Sequence, residues 1–361
     1  MVEISQAYFS VFFCTVDAEL QHFLRAIQWS TIARHDRHKL ISDIQSRWMT
    51  KDNPNAALPC LSVRTGLDLF LTILNYPPET EIVMSAVNIP DMVHVVHAHR
   101  LKVISLDIDL ETMAPKMHLL PMLVTDRTKL LLVANIFGRQ FDMGPVISAA
   151  RACNLLVIED FAEGFHGFDY LGHRDSDLTL FSFGAIKYET TFGGAIAKVR
   201  DAKIFEAMTN LNNSWPVQSQ LEYLKKVFKC ALAYSMLNCP RITHTVMYLT
   251  RCMNIDHKKY MVAMLRGFPD RLMERLRHRP CDALLAMMRL RFMKFESTQH
   301  RLSNVKHEYI GERLPPTAVQ VGTKADIRNH WLCPIMVVRK MFFFIVQISL
   351  VIICSRFCKF K

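Results

Sequence analysis

At 361 residues, 50% hydrophobic and 21% charged with 12 glycines, the chain has the composition of a globular protein; collagen, extended disorder and a disulfide mini-protein are excluded. The net charge of +11 is unevenly spread: residues 1–200 hold 18 Lys+Arg against 22 Asp+Glu, and the remainder holds 26 against 11. Ten cysteines without CxxC or Cys/His zinc spacing predict reduced thiols, a cytoplasmic protein and no metal site.

Residues 1–50 lack the charged-then-apolar order of a signal peptide. Residues 15–50 read as an N-terminal helical segment that stops at a polar break, residues 51–56. Beyond it, short β-rich runs at 82–87, 102–107, 129–135, 155–159, 177–183 and 195–199 alternate with helical segments at 66–74, 90–99, 115–124 and 143–153. That alternation predicts an α/β fold with a mostly parallel, doubly wound sheet covered on both faces. Residues 51–240 form the large domain in this reading. Ligands of such folds sit at the carboxyl ends of the strands.

From about residue 201 a Met-, Leu- and Arg-rich helical pattern takes over, with positive charge densest at 271–280. It reads as a solvated helix face, because no aromatic interleaving or nucleic-acid module accompanies it. Residues 241–340 are assigned to a small, mostly helical C-terminal domain that ends in a strand-like return at 330–338. The last stretch, 341–361, is an apolar run with basic flanks. At 14 residues that run is shorter than the roughly 20 needed to cross a bilayer; a buried element and a membrane-surface anchor both remain open. The histidines at 94, 97 and 99 lack a carboxylate at ligand spacing and read as surface residues.

Two segments carry the chemistry: LLVIEDFAEGFHGF, 155–168, and LTLFSFGAIKYETTFGGAIAKV, 178–199. In the first, an apolar strand ends on Glu159 and Asp160. In the second, another ends at Ser182, and Lys187 follows before Gly193 and Gly194. A lysine and a carboxylate at neighbouring strand ends are what pyridoxal 5'-phosphate requires: an amine for a Schiff base and an anion that keeps a proton on the pyridine nitrogen. Lys187 by itself would read as a surface lysine; its order relative to Asp160, Ser182 and the glycine pair gives it meaning.

These segments resemble the DegT/DnrJ/StrS sugar aminotransferases, of the fold-type I pyridoxal-phosphate class. DFAE at 160–163 is similar to the family's Asp-Ala-Ala-Gln, and SFGAIK at 182–187 to its Ser-Phe-x-x-x-Lys; 103–113 and 125–143 match two further family stretches. The resemblance implies a Schiff base on Lys187, Asp160 on the pyridinium nitrogen, Ser182 on the phosphate and Glu163 near the cofactor hydroxyl. It places a phosphate-binding turn at Arg64, Thr65 and Gly66, where the family reads Ser-Gly-Thr; a plain helix cap at Thr65 is the other reading. It places Ile89 or Asn88 where the family stacks an aromatic ring, and Asn135 where it commonly has His.

The resemblance implies amino transfer from an amino acid to a keto group, that of a (nucleotide-)sugar, in a homodimer without nucleic acid. Dehydration on the same cofactor is the competitor within the fold, and retention of Lys187 argues against its lysine-less form. The departures at 64, 88, 89 and 135 leave open a fold-retaining binding or regulatory protein. The basic C-terminal half and apolar tail leave open a peripheral membrane protein.

Overall fold

The computed structural model describes residues 16–32, 35–239, 245, 248–250, 252–253, 255, 271–296, 298–328, 331–337 and 350–354. The N-terminal segment is two helices rather than one, α1 (Leu20–Thr31) and α2 (Arg37–Trp48). Asp36 separates them, its carboxylate accepting the Lys39 amide at 3.1 Å, because a capping aspartate favours a new helix start over continuation of the old one. Helix α2 buries Leu40, Ile44 and Trp48, spaced four apart so that they lie on one face.

The main sheet contains β1 (Ala56–Cys60), β2 (Glu81–Ser85), β3 (Lys102–Leu106), β4 (Thr128–Ala134), β6 (Leu156–Asp160), β7 (Leu178–Ser182) and β8 (Ala195–Val199), with the short β5 (Arg139–Gln140) outside it. Its order is β1-β8-β7-β6-β4-β2-β3. Pairings among β3, β2, β4, β6 and β7 are parallel, whereas β8 runs antiparallel to both β1 and β7. Every expected strand is present within a residue or two. Strand β1 was not expected, because AALPC is short and carries Pro59; it lies at the sheet edge, where a missing N–H is tolerated.

Helices α3 (Val63–Leu74), α4 (Pro90–Ala98) and α7 (Ala202–Ser214) cover one face. Helix α6 (Met143–Ala152) packs on the other over β4 and β6. The expected helix at 115–124 shrinks to a 3₁₀ turn (Met117–Leu119) and the single-turn α5 (Leu120–Leu123), with Pro121 in its first turn.

The N-terminal pair, α8 (Gln220–Asn238) and α10 (Asp282–Met293) share a core with the aromatic side chains of β7 and its loop. Strand alternation divides the labour: Leu178 and Leu180 face α3, and Phe181 faces Trp48. The Trp48 indole meets five rings, those of Phe165, Phe168, Phe181, Phe183 and Phe292, at 4.8–5.8 Å between centroids.

The basic segment at 271–280 includes the short α9 (Leu272–Leu276). Its Arg277 pairs with buried Asp68 at 2.9 Å and Arg279 donates to the Trp215 carbonyl. Part of the charge there is structural. Beyond α11 (Thr298–Gly311), strands β9 (Ala318–Gln320), β11 (Leu332–Val337) and β12 (Leu350–Cys354) form a small antiparallel sheet, and β10 (Ile327–Arg328) pairs with β5. The rest of the apolar tail lies outside the described residues. No helix among the described residues is long and apolar enough to cross a membrane.

Fully buried Arg139 joins this C-terminal part to the large sheet. Its guanidinium donates to the carbonyls of Gly322, Phe137, Leu332 and Val321 at 3.1–3.4 Å. Truncating the aromatic hub opens a cavity among rigid neighbours; Trp48→Ala is expected to lower unfolding free energy by about 3–5 kcal/mol, read from the urea midpoint.

Candidate active site

Parallel strands deliver their carboxyl ends, and the loops after them, to one edge of the sheet. A cavity of about 350 Å³ opens there, lined by residues that follow β1, β2, β4, β6 and β7. Arg64, Ile89, Asp160, Glu163, Ser182 and Lys187, all singled out from the sequence, line it together with Gly193 and Gly194.

Asp160 closes β6. Its neighbour Glu159 points to the opposite face, where Tyr170, the His173 amide, Ser176 and Thr179 donate to it; alternation along the strand leaves Asp160 to face the cavity. The Ala162 amide donates to Asp160 at 3.0 Å. Burial pushes the Asp160 carboxyl up to about 6, an effect the Ala162 bond and the Lys187 charge oppose and the Glu163 and Glu159 charges reinforce.

Lys187 lies in the loop between β7 and β8, its amide donating to the Gly184 carbonyl at 3.0 Å. Its ammonium is 3.1 Å from Glu163 Oε1, and Glu163 Oε2 accepts the Phe137 amide at 2.9 Å. The same ammonium lies 3.7 Å from the centroid of the Trp331 ring, a cation–π contact. The indole N–H donates to the Ile186 carbonyl at 2.8 Å. Trp331 was not anticipated as a site residue: it belongs to the strand-like return at 330–338, which reads only as a strand, more than 140 positions after Lys187.

The phosphate turn differs from expectation. Helix α3 starts at Val63, not Gly66, and its cap is Ser62, whose hydroxyl accepts the Thr65 amide at 3.2 Å. Thr65 turns away from the cavity and donates its hydroxyl to the Leu276 carbonyl at 2.9 Å. Gly66 is also absent from the cavity wall. A Cβ there would come within 2.8 Å of Leu180 Cδ2 and 3.1 Å of Ala197 Cβ; this glycine lets the helix approach the sheet. Arg64 does reach the cavity, but its guanidinium is held by Asp91 at 2.5 Å.

A second lysine, Lys226 of α8, also lines the cavity. The sequence offered no signal for it, because in YLKKVFKC it reads as one of three lysines on a solvated helix.

Two amides test whether the cavity suits a polar aromatic ligand. The Nδ2 groups of Asn135 and Asn88 are buried and have no hydrogen-bond partner among the described residues; Asn135 Oδ1 accepts the Phe141 amide and Asn88 Oδ1 the Ile89 amide. Two unpaired donors at the wall fit a ligand that carries acceptor oxygens. Val87, Ile89 and Met92 supply the apolar surface for a ring. The residues present therefore fit pyridoxal phosphate: an amine, a buried carboxylate, an apolar slot and the positive end of a helix.

His99 pairs with Asp68 at 2.9 Å and His97 contacts the Leu101 carbonyl. No group of three His, Cys, Asp or Glu side chains able to hold a metal ion occurs among the described residues.

An open α/β sheet with lysine and carboxylate at adjacent strand ends defines the class. Residues 54–239 match the DegT/DnrJ/EryC1/StrS aminotransferase family, and the chain belongs to it. It is 25% identical over 229 residues to the uncharacterized protein MJ1066 of Methanocaldococcus jannaschii, covering 57% of this chain and 59% of that one. It is 30% identical over 153 residues to a GDP-perosamine synthase of Caulobacter vibrioides, covering 40% of each. The match therefore spans little more than half the length of these relatives at most. Among solved structures, the sugar aminotransferase CalS13 of Micromonospora echinospora superimposes with a TM-score of 0.60 at 15% identity, covering 90% of this chain and 80% of that one. A GDP-4-keto-6-deoxymannose-3-dehydratase with a trapped PLP-glutamate geminal diamine gives 0.62 at 15%, covering 91% and 80%. These likenesses show a common fold.

The raised Asp160 has a consequence for stability. The folded state of the ligand-free protein holds this proton more tightly than the unfolded chain does, so Asp160 makes stability fall as pH rises from about 4 to 6. Asp160→Asn keeps an acceptor for the Ala162 amide and removes the loss. At pH 7 the variant is expected to be more stable than the parent by about 1–3 kcal/mol, and at pH 4 equal to it, as thermal melts at the two pH values will show.

Proposed function

We propose that the chain is a pyridoxal-phosphate-dependent aminotransferase that moves an amino group from an amino acid such as glutamate to the keto group of a nucleotide sugar. The observation that carries this is the convergence of the Lys187 ammonium and the Asp160 carboxylate on one cavity from adjacent strand ends. The family match supports the reaction class. The relative named as a GDP-perosamine synthase supports the substrate class.

When bound, pyridoxal phosphate supplies an aldehyde and a ring that draws electrons from the substrate carbon. The protein supplies the rest. Lys187 provides the amine that secures the aldehyde, and once released its Nζ moves a proton to and from the substrate carbon. Glu163 holds that Nζ at 3.1 Å in the resting site and orients it. Asp160 is kept from water at the end of β6; beside a pyridine nitrogen its carboxylate is stabilised and holds a proton on that nitrogen. Ser182 offers a hydroxyl at the cavity wall, and Trp331 covers the Lys187 ammonium on one side.

A homodimer is supported by exposed apolar side chains: Leu221, Phe228 and Leu232 of α8, and Leu20 and Leu24 of α1. Along α8 these residues recur at seven and four positions, which places them on one side of the helix. Cytoplasmic placement is supported by seven free cysteine thiols among the described residues. We also retain residues 51–240 as the large domain and the C-terminal part as the small one.

Added pyridoxal phosphate is expected to give a yellow band that borohydride abolishes, with the reduced pyridoxyl group mapped by mass to Lys187. A colourless protein, or label on another lysine, contradicts the assignment. Lys187→Ala is expected to cut amino transfer from glutamate by about 10²–10⁴-fold or more. Phe228→Glu is expected to convert a dimer to a monomer in sedimentation without loss of helical signal.

A further inference from the structure

The cavity has two lysines, and among the described residues one of them is partnered. Lys187 has Glu163 and Trp331. Lys226 lines the same cavity with no carboxylate beside it and no hydrogen bond among the described residues. Its position is not accidental. Tyr223, one turn earlier on α8, donates its hydroxyl to the Thr191 carbonyl at 3.0 Å and fixes the helix over the glycine turn. The Gly194 amide donates to the Leu61 carbonyl at 3.1 Å and ties that turn to the entry of α3. Lys226 then reaches so close to Gly193 that a Cβ there would lie 2.8 Å from Nζ. Three elements thus meet at one end of the cavity: the first turn of α3, the glycine turn and the tip of Lys226.

We propose that Lys226 is the cation that binds the phosphate of the cofactor, at the end of the cavity where Val63 and Arg64 present the start of α3 and Gly193 leaves room for the ammonium. This rests on the aminotransferase reading above and adds to it the residue that holds the anion. The side chains of the turn expected to serve the phosphate are engaged elsewhere: the Thr65 hydroxyl donates to the Leu276 carbonyl, and the Arg64 charge is shared with Asp91. A phosphate needs a positive partner, and a lysine acts as a point charge that suits it. The helix start adds its dipole to the same spot. The electrostatics of the ligand-free site agree. Burial depresses the Lys226 ammonium, Cys230 opposes this, and Arg64 adds to it; an anion between the two cations relieves both burdens.

The test separates phosphate from ring. Ligand-free wild type, Lys226→Met and Lys226→Arg are titrated with pyridoxal phosphate and with pyridoxal, which has the aldehyde and ring but no phosphate, following the visible band. Lys226→Met is expected to weaken pyridoxal phosphate by about ten- to a hundredfold, as for a lost hydrogen bond to a charged group, and to leave pyridoxal unchanged. Lys226→Arg is expected to recover most of the loss. Inorganic phosphate is expected to raise the melting temperature of wild type and not of Lys226→Met. Equal weakening of both aldehydes, or of neither, overturns the proposal, as does an equal phosphate shift in both proteins. If wild type takes up neither aldehyde, the aminotransferase reading fails by itself, and the phosphate shift alone decides whether Lys226 binds an anion.

Discussion

The parallel alignment of β2, β4, β6 and β7 is the constraint on which the rest depends. Hydrogen bonding in register forces four carboxyl ends to one edge, so residues from distant parts of the sequence face a common space without any contact having to be made between them first. Asn88, Asn135, Asp160 and Ser182 are placed by that register alone. Strand β8 runs the other way, and this reversal brings Gly193 and Gly194 back to the same edge that β7 has just left.

Electrostatics then distributes the roles. The two adjacent carboxylates of β6 have opposite fates because the strand alternates: Glu159 is satisfied by four donors on one side, and Asp160 faces the cavity with one. Glu163 compensates Lys187, and Asp91 compensates Arg64. Lys226 remains a positive group that no carboxylate among the described residues neutralises. A site that balances two of its three cations internally is poised for an anionic ligand at the third.

Much of this was legible in the sequence, for identifiable reasons. Strands β2 to β4 and β6 to β8 are buried apolar runs between turn signals, and Asp160, Glu163, Ser182 and Lys187 sit at fixed offsets from their ends. Proline hid β1. Ser62 hid the true start of α3, since a capping serine before a mixed VRTG run competes with the glycine that follows it. Gly66 had a tertiary purpose, contact with Leu180 and Ala197, that no local pattern announces. Lys226 and Trp331 escaped notice because neither carries a chemical signal in the sequence: one is among several lysines on a helix, and the other belongs to a strand-like return that reaches the cavity only after the chain has come back to the sheet.

That return sets how the amine is exposed. Trp331 touches Lys187 across 144 positions of sequence, and the strand it introduces is held to the large domain by the carbonyl contacts of Arg139. A contact of such separation closes a long loop, so the C-terminal strand must dock on the large domain before Trp331 can reach Lys187. The covering of the amine is therefore coupled to the docking of a segment far from it in sequence.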